Sequence, residues 1–378
     1  MARAPAQHED ETLPEADRLD GFPHPRETRK LLGHGETERE LAQAFASGRM
    51  HHAWLVAGPE GIGKATLAYG LARHVLAPRA ERDASGSTLK IAPNSATARQ
   101  IRALAHPGLL VLRRPYDMRS KRHAASITVD EVRRLKAFLG LTAGGLRTGD
   151  DTWRVVIVDA ADELNVNAAN ALLKSLEEPP SRALFLLIAS EPARLLPTVR
   201  SRCRRLQLAP LTGTALRQAS EAALAAAGMD MPGPDRWPLL ERLAAGSVRR
   251  ALLLAGSGGL ELYERIEAIL AALPRIEWPA AHALADQLSQ PANEQRFEAF
   301  YDLLLEMLWR LVHARAAASA EAPVAALAQR LIPTTRLPAW AALWEDIGRE
   351  RAEAALLNLD KRALVLATFA KLERLAQL

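Results

Sequence analysis

A short apolar run, Ala53-Trp54-Leu55-Val56-Ala57, leads directly into Gly58-Pro59-Glu60-Gly61-Ile62-Gly63-Lys64, and Thr66 to Ala72 then places apolar residues at helical spacing. A buried strand, a glycine turn and a helix in that order leave few folds open. Glycines let backbone N–H groups curl around an anion, the new helix adds its positive end, and Lys64 adds a point charge. The spacing G-x-x-x-x-G-K therefore predicts a phosphate-cradling loop, with Gly58, Gly61, Gly63 and Lys64 as its binding residues. Further apolar runs at 109–112, 155–158 and 183–189, and a short strand at 205–208, alternate with helical stretches at 129–139 and 167–178, the second stopped by Pro179-Pro180. Runs that are apolar on both faces and alternate with helices predict an α/β domain with a parallel sheet between helical layers.

Two positions depart from what metal-assisted phosphoryl chemistry requires. The residue after the loop lysine supplies a hydroxyl to Mg²⁺, and here it is Ala65. Thr66 stands one residue further, a rotation of ~100° along a helix. Its hydroxyl is expected to point away from a metal while it stays a candidate nucleotide contact. Val155-Val156-Ile157-Val158-Asp159 has the form of the second nucleotide motif of P-loop ATPases, whose Asp reaches the Mg²⁺ shell. The next position, where a Glu would polarise the attacking water, is Ala160. Asp162 and Glu163 follow at the start of a helix, where the dipole favours acids. The two losses together predict a nucleotide fold that does not hydrolyse ATP, one that holds ATP or ADP without turnover. The other reading has Thr66 and Asp162 standing in for the missing groups.

The chain has 378 residues, enough for two or three domains. Residues 1–20 carry six acidic and two basic side chains and read as a disordered tail. Residues 21–210 read as the α/β domain, opening on a helical pattern between Gly21 and Gly48, with a loop or insertion at 78–100. After Pro210 the strand signal ends, and 211–256 read as a small helical domain and 257–378 as a second all-helical domain. Breaks are expected at Gly228, Pro232–Pro234, Gly256–Gly259, Pro291 and Pro333. Apolar residues at helical spacing (Phe297, Phe300, Tyr301, Leu304, Met307, Leu308, Leu311, then Leu356, Leu359, Leu366, Phe369, Leu372, Leu375) point to a packed helical core. Trp340 and Trp344 share a helix face and are interface-anchor candidates. With Cys203 as the single cysteine, a disulfide framework and a Cys-cluster zinc site are excluded. His106 and His123 read as surface groups, and no metal site is expected. No apolar run reaches the ~18–20 residues that span a bilayer, and a cytoplasmic location is expected. The net charge of +5 allows an anionic partner without naming one.

Arg194, Arg200, Arg202, Arg204 and Arg205 fall within twelve residues, around the tripeptide Ser201-Arg202-Cys203. Together with His51 to Leu55, the loop through Leu67, Ala171 to Pro180, and Gly246 to Leu252, this run resembles the clamp-loader branch of the AAA+ family. The resemblance covers roughly residues 20–255 and continues more loosely at Leu357-Asn358-Leu359-Asp360. It implies an AAA+ P-loop domain, a helical lid and a helical collar that holds a ring together. It also implies that Arg202 is an arginine finger placed in trans into the ATP site of the neighbouring subunit, where a guanidinium fork is worth ~10³–10⁵ in rate. Arg249 matches the second sensor arginine, and Ala189-Ser190 occupies the first sensor position. The implied partners are gamma/tau and delta subunits in a heteropentamer, with the sliding clamp and primer–template DNA reached through the complex. Many members carry a four-cysteine zinc module at about 78–125; the stretch here has no cysteine, so no zinc is expected. Two rivals remain: a working gamma/tau-like clamp-loader ATPase, and a stand-alone nucleotide-dependent DNA-binding protein using the basic stretches 113–136 and 194–205.

Overall fold

The computed structural model describes residues 14–83, 86–120, 122–140, 153–256, 258–317, 322–357 and 359–378. They group into two compact units, one ending at Leu252 and the other spanning Leu253–Leu378.

The first unit contains, in order, α1 (Gly35–Ala46), β1 (Ala53–Ala57), α2 (Lys64–Leu76), α3 (Ala96–Arg102), β2 (Leu109–Leu112), β3 (Tyr116–Asp117), β4 (Arg122–His123), α4 (Val129–Gly140), β5 (Arg154–Asp159), α5 (Val166–Glu177), β6 (Ala183–Ala189), α6 (Pro197–Arg200), β7 (Arg204–Gln207), α7 (Gly213–Ala226), α8 (Trp237–Ala244) and α9 (Val248–Gly256). Five strands form one parallel sheet in the order β2-β5-β6-β1-β7. Every residue of β1 and β6 is buried, as a sheet covered on both faces demands. On one face Val156, Val158, Phe185 and Leu187 pack against Leu172 and Leu176 of α5 and Val132 and Leu135 of α4. Asn165 starts α5 by accepting a hydrogen bond from the Ala168 amide (2.8 Å), and Pro179-Pro180 follow its end.

Register positions the site. Ala57 lies opposite Ala189, and Asp159 opposite Ile188. The chain therefore leaves β1, β5 and β6 at the same end of the sheet, where the strand order reverses and α/β proteins bind ligands.

The structure differs from the sequence expectations in four places. The helical pattern of 21–48 is helical only over Gly35–Ala46; before it, Pro23 and Pro25 and the His24 side chain, which accepts from the Arg26 amide, set a 3₁₀ turn. The tail does not extend to residue 20. Glu15 pairs with Arg26 and Arg113 (both 2.8 Å), and Asp17 with Arg113 (2.9 Å) and His24 (3.0 Å). Residues 1–13 of the expected tail lie outside the described residues. The 78–100 loop contains α3, whose N-cap Ser95 accepts from the Ala98 amide, and a bridge between Arg82 and Ile91. The helices of 211–252 group with the sheet instead of forming a unit of their own, and the division falls within α9, ahead of the expected boundary at 256/257.

The second unit is helical: α10 (Gly259–Ala272), α11 (Trp278–Leu288), α12 (Glu294–Ala317), α13 (Ala322–Leu331), α14 (Leu337–Leu357) and α15 (Lys361–Gln377). Phe300 packs edge-on against Tyr301 and Phe369, and the Tyr301 hydroxyl meets Thr368 Oγ1 at 3.2 Å. Trp340 is buried, and Trp344 donates to the Leu305 carbonyl at 3.0 Å, so both serve this unit's own packing. The tryptophan that this unit exposes is Trp309 of α12, about half accessible and stacked on His313. Asn358 lies outside the described residues. Among the described residues no helix is long and apolar enough to cross a membrane.

Candidate functional site

The loop between β1 and α2 has the backbone that its glycines allow. Gly58, Gly61 and Gly63 all have positive φ (146°, 77° and 103°). Two of them also have no room for a side chain. A Cβ on Gly58 would stand 2.6 Å from the Leu208 carbonyl oxygen, and one on Gly61 would stand 2.5 Å from Arg249 Cβ. The loop is braced from below by His34, buried, whose Nε2 donates to the Ile62 carbonyl (2.8 Å).

Lys64 is buried and turned into its own loop. Its ammonium donates to the carbonyls of Gly58 (2.7 Å) and Pro59 (2.6 Å) and to Ser190 Oγ (3.0 Å). Burial pulls its pKa down, against the pull of Asp159, Glu60 and Asp162. Ser190, at the first sensor position, thus reaches the loop through the lysine. The helix α9 closes the loop from the other side. The amides of Val248 and Arg249 point at the Gly61 carbonyl (2.9 and 3.4 Å), and Arg249 Nε meets Glu60 at 3.0 Å. Arg249 is therefore brought to the loop, but its partner there is a carboxylate of the loop itself.

Asp159 ends β5 almost fully buried, and its Oδ2 has no hydrogen-bond partner. Burial, reinforced by the charge of Asp17 and only partly opposed by Lys64, pushes its pKa up to about 8. Asp162, the residue that would stand in for a Glu at 160, uses Oδ2 to accept the amides of Ser190 (2.9 Å) and Glu191 (2.7 Å). Glu163 pairs with Arg114 at 2.7 Å. Thr66 lines a different cleft, with Arg26, Gly70 and Arg73. With a methyl at Ala65 and Thr66 lining a different cleft, the loop lacks the hydroxyl that a magnesium-assisted hydrolysis centre uses. Among the described residues, no group of three or more His, Cys, Asp or Glu is placed to hold a metal ion.

Arg202 takes no part in this arrangement. It follows α6, and its guanidinium donates to the Thr198 carbonyl (2.9 Å) and meets Glu177 Oε1, the last residue of α5, at 2.6 Å. The side chain is about one third exposed. Next to it Cys203 is held in the core, and burial pushes its thiol up to about 12. Much of the positive charge of the two basic stretches, 113–136 and 194–205, is matched within the chain. Arg204 pairs with Glu40 and stacks over Trp54, Arg113 is held by Glu15 and Asp17, and Arg133 and Arg134 pair with Asp130 and Glu131. Reading the sequence missed His34, Glu177 and the Glu60–Arg249 pair. None belongs to a spacing rule, since each acts through a contact between segments distant in sequence.

A family described as "DNA polymerase III, delta subunit" matches residues 33–212. A DNA polymerase III subunit delta' from Pseudomonas aeruginosa is 36% identical over 69% of this chain and 73% of its own length. The Escherichia coli subunit of the same name is 30% identical over 78% of this chain and 81% of its own. A DNA polymerase III subunit gamma/tau from Mycobacterium bovis is 28% identical, over 60% of this chain and 37% of its length. Among solved structures, a gamma subunit-related protein from Thermotoga maritima aligns with a TM-score of 0.44 at 17% identity, covering 91% of this chain and 99% of that one.

Proposed function

The chain belongs to the DNA polymerase III subunit delta' family, and from that premise we propose that it serves its clamp loader as a non-hydrolysing member that completes a neighbour's ATP site. In this reading the chain sits in a cytoplasmic heteropentamer with gamma/tau and delta subunits. Arg202 enters the gamma/tau site, and the complex loads the sliding clamp on primed DNA. The observation that carries the proposal is the position of Arg202: it is surface-accessible, held by Glu177 and Thr198, and apart from the chain's own phosphate loop. A fixed guanidinium at an edge has the geometry to meet a phosphoryl group on another molecule at little entropic cost.

The loop supports the other half of the proposal. Lys64 is bonded to loop carbonyls, Arg249 is bonded to Glu60, and Ala65 stands where a hydroxyl would meet magnesium. The rival reading, a self-sufficient gamma/tau-like ATPase, needs Asp162 as a stand-in, and that carboxylate already accepts two backbone amides. Steady-state ATP turnover tests the proposal. The chain alone is expected to show none above background, and adding it to gamma/tau and delta is expected to raise DNA-stimulated turnover. Turnover by the isolated chain overturns it, as does an assembled complex whose rate ignores the added subunit.

A further inference from the structure

On α2 a second cleft lies opposite Lys64: Thr66, Gly70 and Arg73 stand two, six and nine residues beyond the lysine, each about half a turn or more around the helix from it. The cleft has a volume of about 360 Å³ between α2, α3, residues 26–31 and residues 89–93. That is within the roughly 300–1,000 Å³ of small-molecule sites.

Its charge is lopsided. Six cationic side chains line it: Arg26, Arg29, Lys30, Arg73, Lys90 and Arg102. The two carboxylates beside them, Glu27 and Glu38, accept the His24 (3.1 Å) and Leu89 (3.2 Å) amides and keep their charge, but six cations against two anions leave the lining net positive. Arg26 is neutralised by Glu15. Arg73 is held in place by the carbonyls of Arg26 (2.7 Å) and Thr28 (2.9 Å), neutral groups that orient a guanidinium without cancelling its charge. Burial, then the nearby charge of Arg102, brings its pKa down to about 10, as expected for cations gathered without a counter-ion. Arg29, Lys30, Lys90 and Arg102 are exposed and make no ion pair among the described residues.

The floor carries a second, independent observation. Gly70 lies in the interior of α2, where glycine costs ~1 kcal/mol relative to alanine. Packing does not demand it: a Cβ there would meet only the Arg73 guanidinium, at 3.9 Å. The helix gives up a side chain where the cleft is open. Leu31, Leu67 and Ile91 supply apolar wall beside the cations.

We propose that this cleft binds a small organic phosphate, its phosphate held by Arg73, Lys90 and Arg102 and its organic body set against Leu31, Leu67 and Ile91. A phosphate monoester concentrates close to two negative charges in one group, which suits clustered cations and guanidinium forks better than the single, spaced charges of an acidic peptide. The cleft borders the phosphate loop, since its wall residue Leu31 also lies against Gly63, but its cations are not the loop's, and the site does not rest on the role proposed for Arg202. A free nucleotide and the phosphorylated end of a nucleic-acid strand share this chemistry, and the test separates them.

The full chain is titrated calorimetrically with ADP in the absence of magnesium, with a 5′-phosphorylated oligonucleotide, with the same oligonucleotide lacking the phosphate, and with a hexaglutamate peptide. Each titration is done in the native sequence and in Lys64→Ala, which takes the loop cation away. Saturable binding of ADP or of the phosphorylated oligonucleotide, kept in Lys64→Ala and weakened at least tenfold by Lys90→Ala/Arg102→Ala, supports the site and names its source. Gly70→Leu is expected to block it to the same degree. Both altered positions of the double variant are exposed, so a folded protein is expected even if Gly70→Leu melts early. The site is refuted if no phosphate probe binds in Lys64→Ala, if the double variant binds as the native chain does, if the unphosphorylated oligonucleotide binds equally, or if only hexaglutamate binds.

Discussion

Asp159 shows how a single buried atom changes what a motif can do. At the end of a strand its side chain reads as a cation ligand, yet its carboxyl is desolvated, lies near Asp17 and has an oxygen with no partner. Its folded pKa, about 8, stands well above the ordinary aspartate value of 3.8. The folded state therefore holds a proton that the unfolded state releases. The stabilisation linked to that proton is complete below about pH 4 and is lost as the pH rises through 8. Asp159→Asn removes the titration, so its melting temperature is expected to gain on the native chain's between pH 5 and pH 9; parallel thermal melts across that range check it, and curves that stay parallel contradict it. Glu177 is the second residue of consequence. The Arg202–Glu177 pair is partly exposed, worth up to about 1 kcal/mol. Glu177→Gln is expected to lower turnover in the reconstituted complex by about twofold to fivefold with the KM for ATP unchanged, and Glu177→Asp to recover part of the loss.

At the scale of elements, the loop and the N-terminus of α9 form one piece. The Gly61 carbonyl receives two amides of α9, and a Cβ at Gly61 would run into Ser247 and Arg249 at a φ of 77°. Gly61→Ala is expected to cost about 1–3 kcal/mol, read as a lowered urea midpoint, with Gly63→Ala as the comparison. Position 63 is equally left-handed, with φ 103°, but its nearest neighbour would be Leu31 at 3.5 Å. The larger loss at 61 is the expected result. Strands β1, β5 and β6 were legible because each is an apolar run buried on both faces, and Pro179-Pro180 marked the end of α5; the two-residue β3 and β4 carry no such run. The helix α3 was hidden because its seven residues carry only Ile101, Ala98 and Thr97 to the core, too few for a period to show. The segment before α1 carried scattered leucines, but Pro23 and Pro25 outweighed them.

At the scale of the whole molecule, the chain combines an α/β unit ending at Leu252 with a helical unit from Leu253. The loop spacing made the fold readable, and the Ser201-Arg202-Cys203 tripeptide is what the proposed finger rests on. The closure of the loop was not readable, since Lys64, Ser190, Glu60 and Arg249 meet only once β1, β6 and α9 are in place. Trp340 and Trp344 illustrate the same limit: spacing put them on one face, and only packing shows that this face belongs to the unit's interior. The account as a whole makes this subunit a donor of one cation to a neighbouring motor. The most direct test compares DNA-stimulated ATP turnover of gamma/tau–delta complexes assembled with the native chain and with Arg202→Ala, with assembly checked by sedimentation. The account predicts intact assembly and turnover reduced by about 10³ or more at each site that this chain completes, the lower end of the range for an arginine finger; intact assembly with unchanged turnover contradicts it.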